Sequence, residues 1–123
     1  MRIFNRLVIM PTLYHNPRCS KSREALTLLQ AHGCEPDIVL YIDTPPTAKQ
    51  LKELLTKLDL SARQLLRKTE DAYKELNLAN EKLSEAALIK AMVENPKLIE
   101  RPIFINNGKA IVGRPPENVL AIL

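Results

Sequence analysis

The stretch Ile103-Phe104-Ile105-Asn106, Asn107-Gly108, Lys109-Ala110-Ile111-Val112 restricts the fold more than any other part of this chain. Asn-Gly between two apolar runs is the strongest short hairpin signal, because the tight turn it makes needs positive φ at both central residues. Two antiparallel strands are therefore expected here. Near the other end, a short apolar segment closes at Tyr14. A helical pattern follows from Ser20 or Ser22 to about His32, and then the apolar run Asp37-Ile38-Val39-Leu40-Tyr41-Ile42. Strand, helix and strand in about 30 residues is a βαβ unit, which demands a parallel pair. A chain holding both units is expected to build a central mixed four-stranded sheet.

The intervening chain reads as helices. Thr44-Pro45-Pro46 breaks the chain, and Thr47 with Gln50 has the spacing of a capping box. Leu51, Leu54, Leu55 and Leu58 then fall on one helical face. Ser61 with Gln64 repeats the capping spacing ahead of Leu65-Leu66-Arg67-Lys68. Asp71 to Leu76 reads as another turn or two. Ser84 opens a helix with Ala87, Leu88, Ala91 and Met92 on one side, and Asn95-Pro96 ends it. The first helix should present Ala25, Leu26, Leu28 and Leu29 and stop at Gly33. The run 37–42 is expected as a strand covered on both faces. Gly113-Arg114-Pro115-Pro116 is a loop, and Glu117 to Leu123 a closing helix. The order β-α-β, helical block, β-β-α is that of an α/β thioredoxin-like fold. We expect one domain over 1–123, with a helical subdomain at about 47–95 between strands 2 and 3. The opening residues leave alternatives. The first strand is either short, around Thr12 to Tyr14, or runs from Arg6 with Pro11 at an edge or bulge. Met10 also reads as a start with an extension before it.

Charge and cysteine usage narrow the function. Lys+Arg less Asp+Glu is 18 − 14 = +4, with no long basic run and no aromatic-rich strand, so nucleic acid is not expected as a partner. Small anionic substrates account for the excess more economically. Cys19 and Cys34 do not make a disulfide scaffold. His15 and His32 are the only histidines, so no metal site is expected. Leu7-Val8-Ile9-Met10 is too short for a signal core or a membrane span. These features suit a cytoplasmic, thiol-reduced protein.

Cys19 stands between the Asn16-Pro17 turn and the first helix. Unpaired N–H groups and the helix dipole favour an anion there, so the thiol pKa should fall. Arg18, Lys21, Arg23 and a protonated His15 are expected to push the same way. The plainer alternative is a small apolar residue in a strand–helix loop. Ser22 should cap the helix or donate to the thiolate, Cys34 should pack passively, and His32 should sit at the helix C-terminus.

Four separated blocks now agree in order and distance with one known group. Tyr14-His15-Asn16-Pro17-x-Cys19-x-x-Ser22-Arg23, Leu65-Leu66-Arg67-Lys68, Arg101-Pro102-Ile103 and Gly113-Arg114-Pro115 resemble the glutaredoxin-coupled arsenate reductases, the ArsC family, and most of all its YfgD-type branch. The resemblance runs from about Thr12 to Leu123. It implies that Cys19 is the nucleophile toward arsenate and that Arg67, Arg101 and Arg114 line the oxyanion site. It implies that His15 helps keep the thiol ionised. Glutathione would be co-substrate, glutaredoxin the protein partner, and no cofactor would stay bound. Pro102 should follow a cis bond and lie against the Cys19 loop. Two features depart from the pattern: no polar tail follows the closing helix, and Arg18 and Lys21 make the loop more basic. Two other readings compete: a general glutathione-dependent thiol reductase, and an Spx-like RNA polymerase-binding regulator. Many of the latter carry Cys-x-x-Cys, whereas Ser22 stands at the second cysteine position here.

Overall fold

The computed structural model describes residues 10–123. They form two compact units, one made of the chain up to Val39 together with Arg101–Leu123, the other of Leu40–Glu100.

The first unit holds strand β1 (Thr12–Tyr14), helix α1 (Ser20–Ala31) and strands β2 (Asp37–Val39), β3 (Ile103–Asn106) and β4 (Lys109–Val112). The sheet order is β2-β1-β3-β4. β1 runs parallel to β2 and antiparallel to β3, and β3 is antiparallel to β4, which is the mixed sheet expected. At the hairpin, Asn107 and Gly108 take φ of 55° and 73°, the positive values that an Asn-Gly turn supplies. β1 is the short strand of the two alternatives. A start at Arg6 lies outside the described residues. Pro11 has no N–H to give, but its carbonyl accepts from the Asp37 N–H at 2.8 Å, so pairing reaches one residue beyond the strand.

β2 departs from expectation. Only Asp37–Val39 is strand, and it stands at the end of the sheet order with Ile38 42% exposed. The apolar run 37–42 is not one covered strand, because the chain turns at Leu40, whose carbonyl accepts the Asp43 and Thr44 N–H groups. Tyr41, fully buried, belongs to the second unit. The closing segment differs too. Pro116–Ile122 is a 3-10 helix rather than an α-helix. Its apolar residues Pro116, Val119 and Ile122 recur every third position, and residues three apart eclipse on one face of a 3-10 helix. Val119 fills the core with Leu13, Ala25, Leu29, Cys34 and Phe104, and Ile122 packs against it.

The second unit contains α2 (Ala48–Leu58), α3 (Ala62–Leu65), α4 (Asp71–Glu75) and α5 (Glu85–Glu94). Both capping boxes are closed: Thr47 and Ser61 each accept an N–H from Gln50 and Gln64, whose side chains reach back to the cap N–H. Ser84 caps α5 by accepting from the Ala87 N–H. α2 buries Leu51, Leu54 and Leu55, and α5 buries Leu88, Ile89, Ala91 and Met92. α3 is a single turn. Leu66 beyond it is extended and bridges Ile99, while the Arg67 N–H donates to the Leu98 carbonyl and the Glu100 N–H to the Leu65 carbonyl. Among the described residues no helix is long and apolar enough to cross a membrane.

In the first unit the Arg101–Pro102 peptide is cis, the isomer expected, and Arg114–Pro115 is cis as well. Gly113 lies against Pro102, its N–H donating to the Pro102 carbonyl at 2.9 Å. A Cβ on Gly113 would stand 2.9 Å from Pro102 Cγ and 3.0 Å from Val119 Cγ1. Both neighbours are fully buried, so neither has room to yield. Gly113→Ala should therefore cost about 1–3 kcal/mol through overpacking. Urea unfolding should show it as a lowered midpoint at unchanged slope.

Candidate active site

Cys19 is the N-cap residue of α1, with extended backbone, and the helix begins at Ser20. The turn ahead of it is built locally. The Asn16 carbonyl accepts the Cys19 N–H at 2.9 Å, and Asn16 Oδ1 accepts the Arg18 N–H at 3.0 Å. Asn at this place shapes the loop through its own side chain, as Asn does in Asx turns. The Cys19 carbonyl then accepts the Arg23 N–H, starting the helical ladder.

The sulfur is half-buried, and its surroundings oppose one another. Burial is the largest influence and raises the pKa, since it penalises the thiolate. Against it act the Ser22 N–H, a hydrogen bond from the Arg101 side chain, the Lys21 N–H and the Arg101 charge, and the net shift is downward. No cap hydrogen bond of ordinary length closes on the sulfur. The N–H groups of Lys21 and Ser22 act by pointing their dipoles at it, as free N–H groups of a first helical turn do. Arg114 completes the ring: its Nη1 lies 3.8 Å from Cys19 Sγ and donates to the Arg101 carbonyl at 3.1 Å.

The positive charge beside the sulfur thus comes from Arg101, which sits just before β3, and from Arg114, just after β4. The loop cations have a different place. Arg23 donates to the Pro17 carbonyl at 2.8 Å. Lys21 reaches Glu24 at 3.9 Å, both exposed. Lys21 favours the thiolate through its backbone N–H.

His15 and Ser22 lie behind the loop. His15 is 6% exposed and Ser22 is fully buried. His15 Nδ1 and Ser22 Oγ are 2.7 Å apart, and the same Oγ accepts the Asn16 N–H at 3.0 Å. An unprotonated Nδ1 receiving the Ser22 hydroxyl satisfies all three groups. Burial first, and then the Arg23 charge, push the imidazole pKa below its ordinary value, so His15 is neutral at pH 7. Two expectations are corrected here. His15 lends no positive charge to the thiol. Ser22 is not a cap, because it sits inside the first turn with its hydroxyl engaged to the loop.

Arg67 lies in the other unit. Its Nη1 is 2.8 Å from Glu100 Oε1 and its Nε 3.3 Å from Glu70 Oε2. Glu70 stands three residues on, a spacing visible in the sequence, whereas Glu100 is 33 positions away and left no local signal. Cys34 is buried in the core, and burial, then the Glu35 charge, raise its pKa. His32 Nδ1 donates to the Leu28 carbonyl at the end of α1. Among the described residues no cluster of His, Cys, Asp or Glu could hold a metal ion.

This sheet with its cysteine at the start of α1 defines a thioredoxin-like α/β protein. The chain belongs to the ArsC family, whose pattern matches residues 14–122. It is 62% identical over 112 residues to the uncharacterized protein YfgD of Escherichia coli K12, a match covering 90% of this chain and 94% of that one. It is 52% identical over 112 residues to an arsenate reductase of Neisseria meningitidis, covering 90% and 96%. The structure of an arsenate reductase from Vibrio cholerae superposes with a TM-score of 0.90 at 52% identity, covering 93% of this chain and 98% of that one.

The lowered thiol pKa gives a direct test. Alkylation of the native protein should have a fast phase that persists at pH values where an ordinary thiol is protonated. Cys19→Ser should abolish that phase, and Cys34→Ser should leave it intact. The sign for stability follows from the same shift. The thiolate stabilises the fold above the unfolded thiol pKa, and that contribution is lost as pH falls through the folded one. The unfolding free energy of the native protein, less that of Cys19→Ser, should therefore rise from neutral toward alkaline pH.

Proposed function

We propose that this chain is a thiol-dependent oxidoreductase that reduces arsenate to arsenite, with Cys19 as nucleophile and glutathione and glutaredoxin as the source of electrons. The observation that carries the reading is the placing of the Cys19 sulfur among the first N–H groups of α1, Arg101 and Arg114. A thiolate attacking a dianionic oxyanion must overcome like-charge repulsion. N–H dipoles and guanidinium groups fixed beside the sulfur offset it, and guanidiniums stay protonated at any working pH. The arsenate reductases among the relatives support arsenate as the oxyanion.

The chemistry balances with two thiols. Cys19 attacks arsenic, and one arsenate oxygen leaves as water after taking up protons. A glutathione thiol then joins sulfur to sulfur. The two thiols give up two electrons, arsenic falls from the +5 to the +3 state, and arsenite departs. What remains is a mixed disulfide of Cys19 and glutathione, which glutaredoxin reduces. No bound cofactor is required. The reading calls for a thiol-reducing compartment, the cytoplasm.

The residues share the work unequally. Arg101 and Arg114 bind oxygens and stabilise the charge of the transition state. Arg67, the third arginine of the family motif, carries a smaller part, because any oxygen it binds must compete with Glu70 and Glu100. His15 acts as a positioning residue: being neutral, it holds Ser22, whose N–H faces the sulfur. Pro102 places Arg101 at the head of β3.

The deciding assay is arsenate-dependent NADPH oxidation with glutathione, glutaredoxin and glutathione reductase supplied. Turnover is expected with the native chain and none with Cys19→Ser. Arg101→Ala and Arg114→Ala should each lower kcat/KM by about 10²–10³, the usual loss for one donor at a developing oxyanion, and Arg67→Ala by less. Reduction of a glutathione mixed disulfide with no response to arsenate would replace this reading with a general thiol reductase.

A further inference from the structure

A cleft of about 410 Å³ opens on the first unit beside the Cys19 loop, within the range of small-molecule sites. Ser20, Arg23, Glu24 and Thr27 of α1 form one side, and Pro116 and Glu117 of the closing segment form the other. The α1 residues recur at i, i+3, i+4 and i+7, so they share one helix face. Leu28, one residue further, adds apolar surface with Pro116. Ser20 directly follows Cys19, and Pro116 lies two residues beyond Arg114, whose Nη1 is 3.8 Å from the sulfur. Both sides of the cleft are therefore neighbours in the chain of residues that stand at the sulfur.

The charges in this cleft differ from those around the sulfur. The sulfur has two arginines beside it, suited to an oxyanion. The cleft pairs one guanidinium with two carboxylates, Glu24 and Glu117, and a dianionic oxyanion would be repelled there. Arg23 gives one of its donors to the Pro17 carbonyl at 2.8 Å, and a guanidinium has five. Glu117 makes no ion pair among the described residues, and Glu24 has only an exposed contact of 3.9 Å with Lys21, which holds it weakly. A ligand with a carboxylate for Arg23 and an ammonium for the glutamates matches all three.

Resting on the function proposed above, we infer that this cleft is the binding site of the reductant, a small thiol of the glutathione type, with the carboxylate of its zwitterionic γ-glutamyl end on Arg23, the ammonium of that end between Glu24 and Glu117, its glycine carboxylate in solvent away from the glutamates, and its sulfur toward Cys19. The oxyanion and the thiol then meet Cys19 from separately charged surroundings, and neither excludes the other.

The probe is S-methylglutathione, which has the charges of the tripeptide and no free thiol, so its binding is read without turnover. Titrated into the native chain, it should shift the backbone amide resonances of Ser20, Glu24, Thr27, Leu28 and Glu117. Inorganic sulfate should instead shift those of Arg101 and Arg114. Glu117→Gln should weaken binding of the probe by about tenfold, the loss of one good charge contact. Thr27→Trp should do the same by filling the cleft at an exposed position, while reduction of the Cys19 mixed disulfide by uncharged 2-mercaptoethanol stays unchanged. Shifts confined to Arg101 and Arg114, or unchanged affinity in both variants, would overturn the inference. So would a cleft that responds to glutaredoxin and not to S-methylglutathione, since that face would then serve a protein. The outcomes separate from those of the function itself. Arsenate turnover without binding in the cleft removes only this inference, and binding in the cleft without arsenate turnover removes only the substrate.

Discussion

The balance of forces at the Cys19 sulfur governs how the rest of the first unit is built. A half-buried thiol is harder to ionise than one in water, and here burial is the largest single influence on it. The net shift is nevertheless downward, because several smaller effects share one direction. Two N–H dipoles of a first helical turn act at close range, and Arg101 adds both a hydrogen bond and a full charge. Under the function proposed above, none of these requires the protein to reorganise when the sulfur attacks, which is what makes fixed dipoles effective at a reacting centre.

The sheet supplies the geometry. β1 pairs with β2 on one side and β3 on the other, so the loop leaving β1 and the residue entering β3 meet at one end of the sheet. Tyr14 is registered with Ile103, two residues beyond Arg101. The β3–β4 hairpin returns the chain to the same end, since Ile103 pairs with Val112. Gly113 then allows the backbone to approach Pro102 closely, and Arg114 follows. The Asn107-Gly108 turn, six residues from Arg101 on one side and from Arg114 on the other, thus brings both arginines beside one sulfur.

What could be read from the sequence was mostly what a few neighbouring residues dictate. The Asn107-Gly108 turn, the Thr47 and Ser61 capping boxes, the Ser84 cap and the stop at Gly33 each depend on a local hydrogen bond or a local φ, and each is present. The misreadings involved distant partners. The run 37–42 is uniformly apolar, but Val39 pairs with Tyr14 in the sheet while Tyr41 is buried in the other unit, and hydropathy alone does not mark the division. The closing segment could be packed as either helix type, and its three-residue spacing gained meaning only beside a core already formed. Ser22 carries the composition of a cap, yet its hydroxyl is taken by His15 and Asn16 across the loop. The arginines were identified by resemblance, but the carboxylates on Arg67 were not, because Glu100 is remote in sequence.

The arrangement of the remaining thiol bears on where electrons can come from. A protein that closes an internal disulfide needs a second thiolate able to reach the first. The position three residues after Cys19 is occupied by Ser22, fully buried with its hydroxyl already committed. Cys34 lies within the core among Leu13, Ala25, Leu29, Phe104 and Val119, where burial raises its pKa and disfavours the thiolate that would have to attack. Exposing it would mean opening that core. Under the function proposed above, the second thiol must therefore arrive from outside, and the protein's contribution is to lower the pKa of one cysteine and leave it half-exposed for that encounter.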